Sequence, residues 1–371
     1  MIEAALGAVR RLAEDLCGRA RASGHALIGE PRIARKREIA AELSSQLEAA
    51  FALEAILTDG FGAAPLSVRA GPAGGAPASI AARAAECRAL LCGRPVAESL
   101  LGQIEAALGS ARMTCATAGA PQPGRAPRRP PIDPIFSLTL PDHSAFGPPR
   151  TEAELAPHFW LMAFREARVA DLCALTLCEH GGMPLRFYRE LARQTWDELR
   201  HACFFLACAD DLLEAFVASA GDSQLGEGAR TFLRTGVGLP LPAGCDLYPA
   251  LWPLRAPHRI ALLQAGDEAD LPAQLTADLD APFFRARPKR AAELRWTIAE
   301  EEAHVRFGAR WLEALEPDAA ERQALVDEAL KLRGVLVASA RAEALGVSLA
   351  SVLPPSTPGT RPACSPQPAG G

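Results

Sequence analysis

The chain has 371 residues, 49% of them hydrophobic and 22% charged, with a formal net charge of −5. That is enough apolar material for two ordinary domains, and the acidic balance disfavours a nucleic-acid partner, which needs a basic surface. There is no apolar run of the roughly eighteen residues that a membrane span requires, so no membrane association is expected.

The opening MIEAALGAVRRLAEDLCGRARAS reads as an amphipathic helix with acidic residues, not as an export signal. Ten cysteines are scattered without a CxxC pair, the pattern of reduced, core-filling thiols in a cytoplasmic protein. Helical patterns are expected over about 1–22, 36–58, 79–93 and 96–112, separated by breakers such as DGFGAAP and AGPAGGAP. They define an N-terminal helical domain, 1–117. The tract 118–150, including GAPQPGRAPRRPPIDP, is a Pro/Gly/Arg-rich linker.

Thr151 and Glu154 form a plausible capping box, and a strongly apolar helix runs from Ala156 to Cys178. HGGMP breaks it, with His180 expected in an exposed loop, and a second long helix covers about 185–217. Proline-rich text follows to 256. Pro257 is well placed to start a shorter third helix through HRIALLQAGDEAD. After a break at DAPFFRARP, a fourth helix covers about 289–315 and a final one 318–345. The domain is thus 151–346, with a tail, 347–371, too rich in Pro, Ser and Gly to order itself. The fold class is all-α: a four-helix bundle with an extra C-terminal helix, preceded by the smaller helical domain.

Two of the seven histidines have glutamate three positions earlier: Glu198 with His201 in TWDELRHACFF, and Glu301 with His304 in EEEAHVRFG. With glutamate at roughly 6% of residues, chance gives about 0.4 such pairs. Positions i and i+3 stack on one helix face, so each pair can ligate a common ion. Both pairs fall on apolar stripes, with Leu191, Gln194, Phe205 and Cys208 in one and Leu294, Thr297, Gly308 and Leu312 in the other. A buried carboxylate there needs a metal or another partner.

The other two helices offer further carboxylates. Glu166 shares a stripe with Phe159, Met162, Cys173 and Leu177, and Glu198 follows it by 32 residues, while Glu301 follows Glu268 by 33. Asp267 or Gln264 could replace Glu268, because the third helix is short and contains Gly266. Glu…ExxH therefore occurs twice at matched spacing, the arrangement that gives a bundle core two carboxylate-bridged ions. Four carboxylates and two imidazoles balance two divalent cations and suit iron or manganese better than structural zinc. Asp197, Asp171 and Glu300 are candidate acceptors for the outer ring nitrogens, although Glu300 and Glu302 read first as solvated. Cys173, Cys208, Phe204, Phe205 and Phe307 read as core.

The tract 152–316 resembles the ferritin-like di-iron carboxylate superfamily. Within it, the runs DELRHACFF and EEEAHVRFGARWL are similar to those of an uncharacterised bacterial ferritin-like domain family, and tRNA-hydroxylating enzymes are more distant relatives. The resemblance implies a ferritin-like bundle whose metal ligands are Glu166, Glu198, His201, Glu268, Glu301 and His304, with no catalytic residues beyond them. It implies two iron ions (manganese as the alternative), dioxygen as reactant, an electron donor and a small-molecule substrate: an oxidase or hydroxylase. The alternatives are a non-catalytic protein that binds iron or consumes peroxide, and a helical scaffold with a degenerate site.

Overall fold

A computed structural model of the chain describes residues 2–30, 32–66, 80–91, 95–110, 152–215 and 254–331. The linker 118–150, the tail 347–371 and the Thr151 end of the capping box lie outside the described residues. No strand occurs among those described, so the fold is all-α. No helix among them is long and apolar enough to cross a membrane.

Two long helices, α1 (Ile2–Gly29) and α2 (Ile33–Phe61), begin the chain, followed by α3 (Ile80–Leu91) and α4 (Pro95–Ser110). Both α1 and α2 extend beyond the expected segments, with Gly24 and Leu27 continuing the buried face of α1 and Ile33 that of α2. After the linker come α5 (Glu152–Glu179) and α6 (Leu185–Asp210), joined through HGGMP. In that turn Gly182 has φ 88°, a left-handed conformation that a side chain disfavours. So short a connection makes α5 and α6 antiparallel neighbours, and they form the most extensive helix pair. His180 is half-buried instead of exposed, its ring edge-on to Phe187 and its carbonyl accepting from Arg21.

The expected third helix is not one regular helix. α7 (Ala256–Ala261) runs into a π-helical turn, Leu262–Asp267, which delivers Glu268 at its end. Two short helices then intervene where only a break was expected, α8 (Leu271–Asp278) and α9 (Pro282–Arg285). The long α10 (Pro288–Leu315) starts, as Pro favours, with a proline in its first turn. Residues 319–331 form the described part of the last helix, α11.

α1 packs on α5 and α2 on α6. One apolar cluster draws on residues from both sides of the linker, among them Leu12, Leu16, Leu47, Leu53, Leu172 and Leu191. At Gly24 the helices approach closely: a methyl built there would lie 2.6 Å from Cys178 Sγ. α2 also buries Lys36, whose ammonium donates to Leu27 O at 2.9 Å and pairs with Asp171 of α5. Burial pulls the Lys36 pKa below its ordinary value, against the pull of Asp171. Arg168 reaches the other Asp171 oxygen at 3.1 Å. Asp171 therefore serves the α2–α5 junction and not a ring nitrogen.

Lys36→Ala should lower the unfolding free energy in urea by about 3 kcal/mol, because Asp171 is left buried beside only a partly exposed Arg168. The double change Lys36→Met/Asp171→Leu should recover most of that loss.

Candidate metal centre

Four chain segments meet midway along the bundle. Glu166 comes from the centre of α5, Glu198 and His201 from the centre of α6, Glu268 from the end of the π-turn, and Glu301 and His304 from α10. All six are buried, with Glu301 and His304 at 0% exposure. Apolar material closes the centre along the bundle axis: an aromatic cluster of Phe159, Trp160, Phe205, Phe283 and Phe284 on one side, and the core around Cys173, Leu177 and Leu191 on the other. The apolar stripes of the three long helices produce this placement, since every stripe residue named from the sequence is buried.

The six residues fall into two overlapping groups whose donor atoms lie within 4.8 Å of one another: Glu166, Glu198, His201 and Glu301; and Glu198, Glu268, Glu301 and His304. Glu198 and Glu301 belong to both. Each imidazole turns Nδ1 towards these two shared carboxylates. His201 Nδ1 lies 2.9 Å from Glu301 and 3.3 Å from Glu198, and His304 Nδ1 lies 3.0 Å from Glu198 and 3.3 Å from Glu301.

The outer ring nitrogens are held crosswise. His201 Nε2 meets Glu300 at 3.1 Å, and His304 Nε2 lies 3.5 Å from Asp197. Each outer carboxylate is thus the residue just before the shared glutamate on the opposite helix. Glu300, which reads as solvated from its neighbours in sequence, is instead buried and anchored by Trp296 Nε1 at 2.7 Å and by Arg200. Asp197 is held by Arg193 at 2.9 Å and Arg200 at 3.0 Å. Glu302 is exposed.

On the Glu268 side, Gln194 Nε2 donates to Glu268 at 2.7 Å and to Glu198 at 3.3 Å. This residue was noted in sequence only as a stripe member, since a glutamine on an apolar face gives no signal of its own. Gln264, an alternative to Glu268, belongs instead to the π-turn and lies across Gly308. The side chain of Asp267 lies outside the described residues. Phe307 borders His304, with ring centroids 6.3 Å apart, and Phe204, Phe205 and Cys208 belong to the aromatic cluster.

Charge tests whether this donor set fits a cation. Glu166 is pushed well above the ordinary carboxylate pKa by burial and by the charges of Glu198 and Glu301. Burial also acts to raise Glu198, but the two histidines outweigh it and hold that carboxyl below its ordinary value. Burial disfavours charge on His201 and His304, yet the surrounding carboxylates raise both well above 6.5. Glu300 falls to about 2, its burial outweighed by His201, Trp296 and Arg200. Imidazolium protons therefore supply positive charge among the carboxylates. Glu198 Oε2, Glu301 Oε1 and His201 Nδ1 are buried without an aligned hydrogen bond although they approach other donor atoms closely. Donor atoms that converge without hydrogen-bond alignment are what ligation of a common ion requires. The cluster could hold a metal ion.

Nothing matches this chain among protein families, characterised proteins or solved structures.

Two outcomes are expected. Filling both donor groups with divalent ions should displace protons from His201 and Glu166 in one and from His304 in the other, so affinity should rise with pH up to the raised histidine values; calorimetry in buffers of different ionisation enthalpy should register the release. Glu300→Ala and Asp197→Ala should each weaken metal binding by roughly 10–100-fold, read by competition with a chelator, because each frees one outer ring nitrogen.

Proposed function

We propose that the protein is a dinuclear metal oxidoreductase built on a ferritin-like bundle, binding two iron ions, or manganese, and using them to reduce dioxygen while an organic substrate is oxidised. The observation that carries this reading is the sharing of Glu198 and Glu301 between two donor groups, each completed by one histidine and one further glutamate. Two shared carboxylates suit a pair of neighbouring ions and are superfluous for one. All-oxygen and imidazole donors, with no thiolate, favour iron or manganese over structural zinc.

Within this reading the residues divide their work. Glu166 and His201 complete one position, Glu268 and His304 the other, and Glu198 and Glu301 span both. Asp197 and Glu300 fix the orientation of the histidine rings and strengthen them as donors. Gln194 holds Glu268 against the centre. The phenylalanines above and the leucines below exclude water, which strengthens every charge interaction inside. Bound iron would supply one electron per ion and open positions for a small oxidant.

A second reading, consumption of peroxide or uptake of iron without an organic substrate, is favoured by one observation. The cavity beside the centre has room for about one water-sized molecule and is lined by Glu190, Gln194, Gln264 and apolar side chains.

Elemental analysis of untagged protein, reconstituted anaerobically with ferrous iron, should give about two metal ions per chain, as two carboxylate-bridged positions require. Glu301→Ala/His304→Ala should lose them. The wild-type melting temperature should rise on loading, by linkage, and that of the variant should not. Absence of metal from both proteins would sink the proposal and leave a helical scaffold.

A further inference from the structure

Outside the six donors stands a second layer of charge that serves both histidines. Asp197 and Glu300, which hold the outer ring nitrogens of His304 and His201, lie on different helices, yet the same two arginines of α6 reach both. Arg200 lies 3.0 Å from Asp197 and pairs across the helix interface with Glu300. Arg193 donates through Nε to both Asp197 oxygens, at 2.9 and 3.0 Å, and its Nη2 lies 3.6 Å from Glu300. Half-buried Trp196 stands between the two arginines in sequence, with the guanidinium of Arg200 4.7 Å and that of Arg193 5.0 Å from its ring centre. Cation–π attraction on one side and ion pairs on the other fix both charges in place.

Two carboxylates against two guanidiniums leave this layer neutral. The donor set inside it is balanced as well, because four glutamates match two divalent ions and the imidazoles are neutral once they bind metal. A centre that is neutral when ferrous gains positive charge on oxidation, and a fixed positive charge nearby opposes that gain. Arg200 has the larger influence of the two, since its side chain is 26% exposed against 46% for Arg193 and water and salt screen it less. It also acts through the braces in the same direction. By drawing on Asp197 and Glu300 it weakens their pull on the ring protons, and so limits the rise in imidazole donor strength that ferric iron favours.

We propose that Arg200, seconded by Arg193, sets the reduction potential of the centre, raising it so that the metal rests in its reduced form until the oxidant arrives. The inference rests on the functional reading above and adds to it a positioning residue that acts through Asp197 and Glu300. One guanidinium reaches both braces, so it shifts the two metal positions together.

A redox titration of the iron-loaded protein, followed by visible absorption, tests this. Arg200→Gln should lower the midpoint potential by about 60 mV, a tenfold change in a one-electron equilibrium, while elemental analysis still finds about two irons per chain. Arg200→Lys, which keeps the charge, should stay closer to the wild type. Arg193→Gln should give a smaller fall in the same direction, and it decides the matter if the Arg200 variants do not fold. Arg306→Gln removes the same charge from a side chain of α10 that is 66% exposed, and it should change nothing. The sign separates the charge effect from a merely structural one, because loosened rings donate less, destabilise ferric iron and raise the potential. A rise or no change in Arg200→Gln, with both irons bound, would overturn the proposal and leave the functional reading standing. If the wild type binds no metal, the functional reading fails and this inference falls with it.

Discussion

Everything at the centre of this protein depends on the attraction between two imidazoles and the carboxylates that surround them in a place without water. Six ionisable side chains from four segments are buried together, a concentration of charge that would cost far more than a marginal fold can supply if each stood alone. They persist because they neutralise one another. The surrounding carboxylates favour the charged form of His201 and His304, and burial together with the charges of Glu198 and Glu301 favours the neutral form of Glu166. A divalent cation entering such a cluster replaces protons already held there instead of imposing a new charge pattern.

The surrounding helices make that arrangement stiff. α5 and α6 lie side by side and are backed in turn by α1 and α2, with Lys36 and Asp171 tying the outer pair to the inner one. Glu166, Glu198 and His201 thus sit on helices packed from both sides. Glu268 is the exception. It ends a π-turn whose amide geometry departs from the regular helix, and its orientation is maintained by Gln194.

The legible part of this structure was the part with a period. Apolar stripes spaced as a helix requires located α5, α6 and α10 and predicted which face each would bury, and the recurrence of Glu…ExxH within those stripes marked the six residues that the fold brings together. What the sequence concealed has physical reasons. The third helix was expected to be regular because a π-turn adds a residue without changing composition. Glu300 read as solvated because it stands among glutamates on a charged stretch, and only the tertiary fold brings Arg200 and His201 to it, beside Trp296 one turn earlier on its own helix. Asp171 was a plausible acceptor for a ring nitrogen until Lys36, distant in sequence, claimed it. The role of Gln194 was invisible because its partner lies 74 residues away.

The crosswise support of the histidines has one more consequence. His201 on α6 is steadied by a residue of α10, and His304 on α10 by a residue of α6, each placed immediately before a shared glutamate. The words DELRH and EEEAH are therefore interlocked: either one alone provides a donor without its brace and a brace without its donor. Substitutions drifting into one word alter the chemistry of the other helix, so the two words must change together or hardly at all. Anyone transplanting this centre into another bundle would have to move both words whole, in antiparallel register, as a single unit.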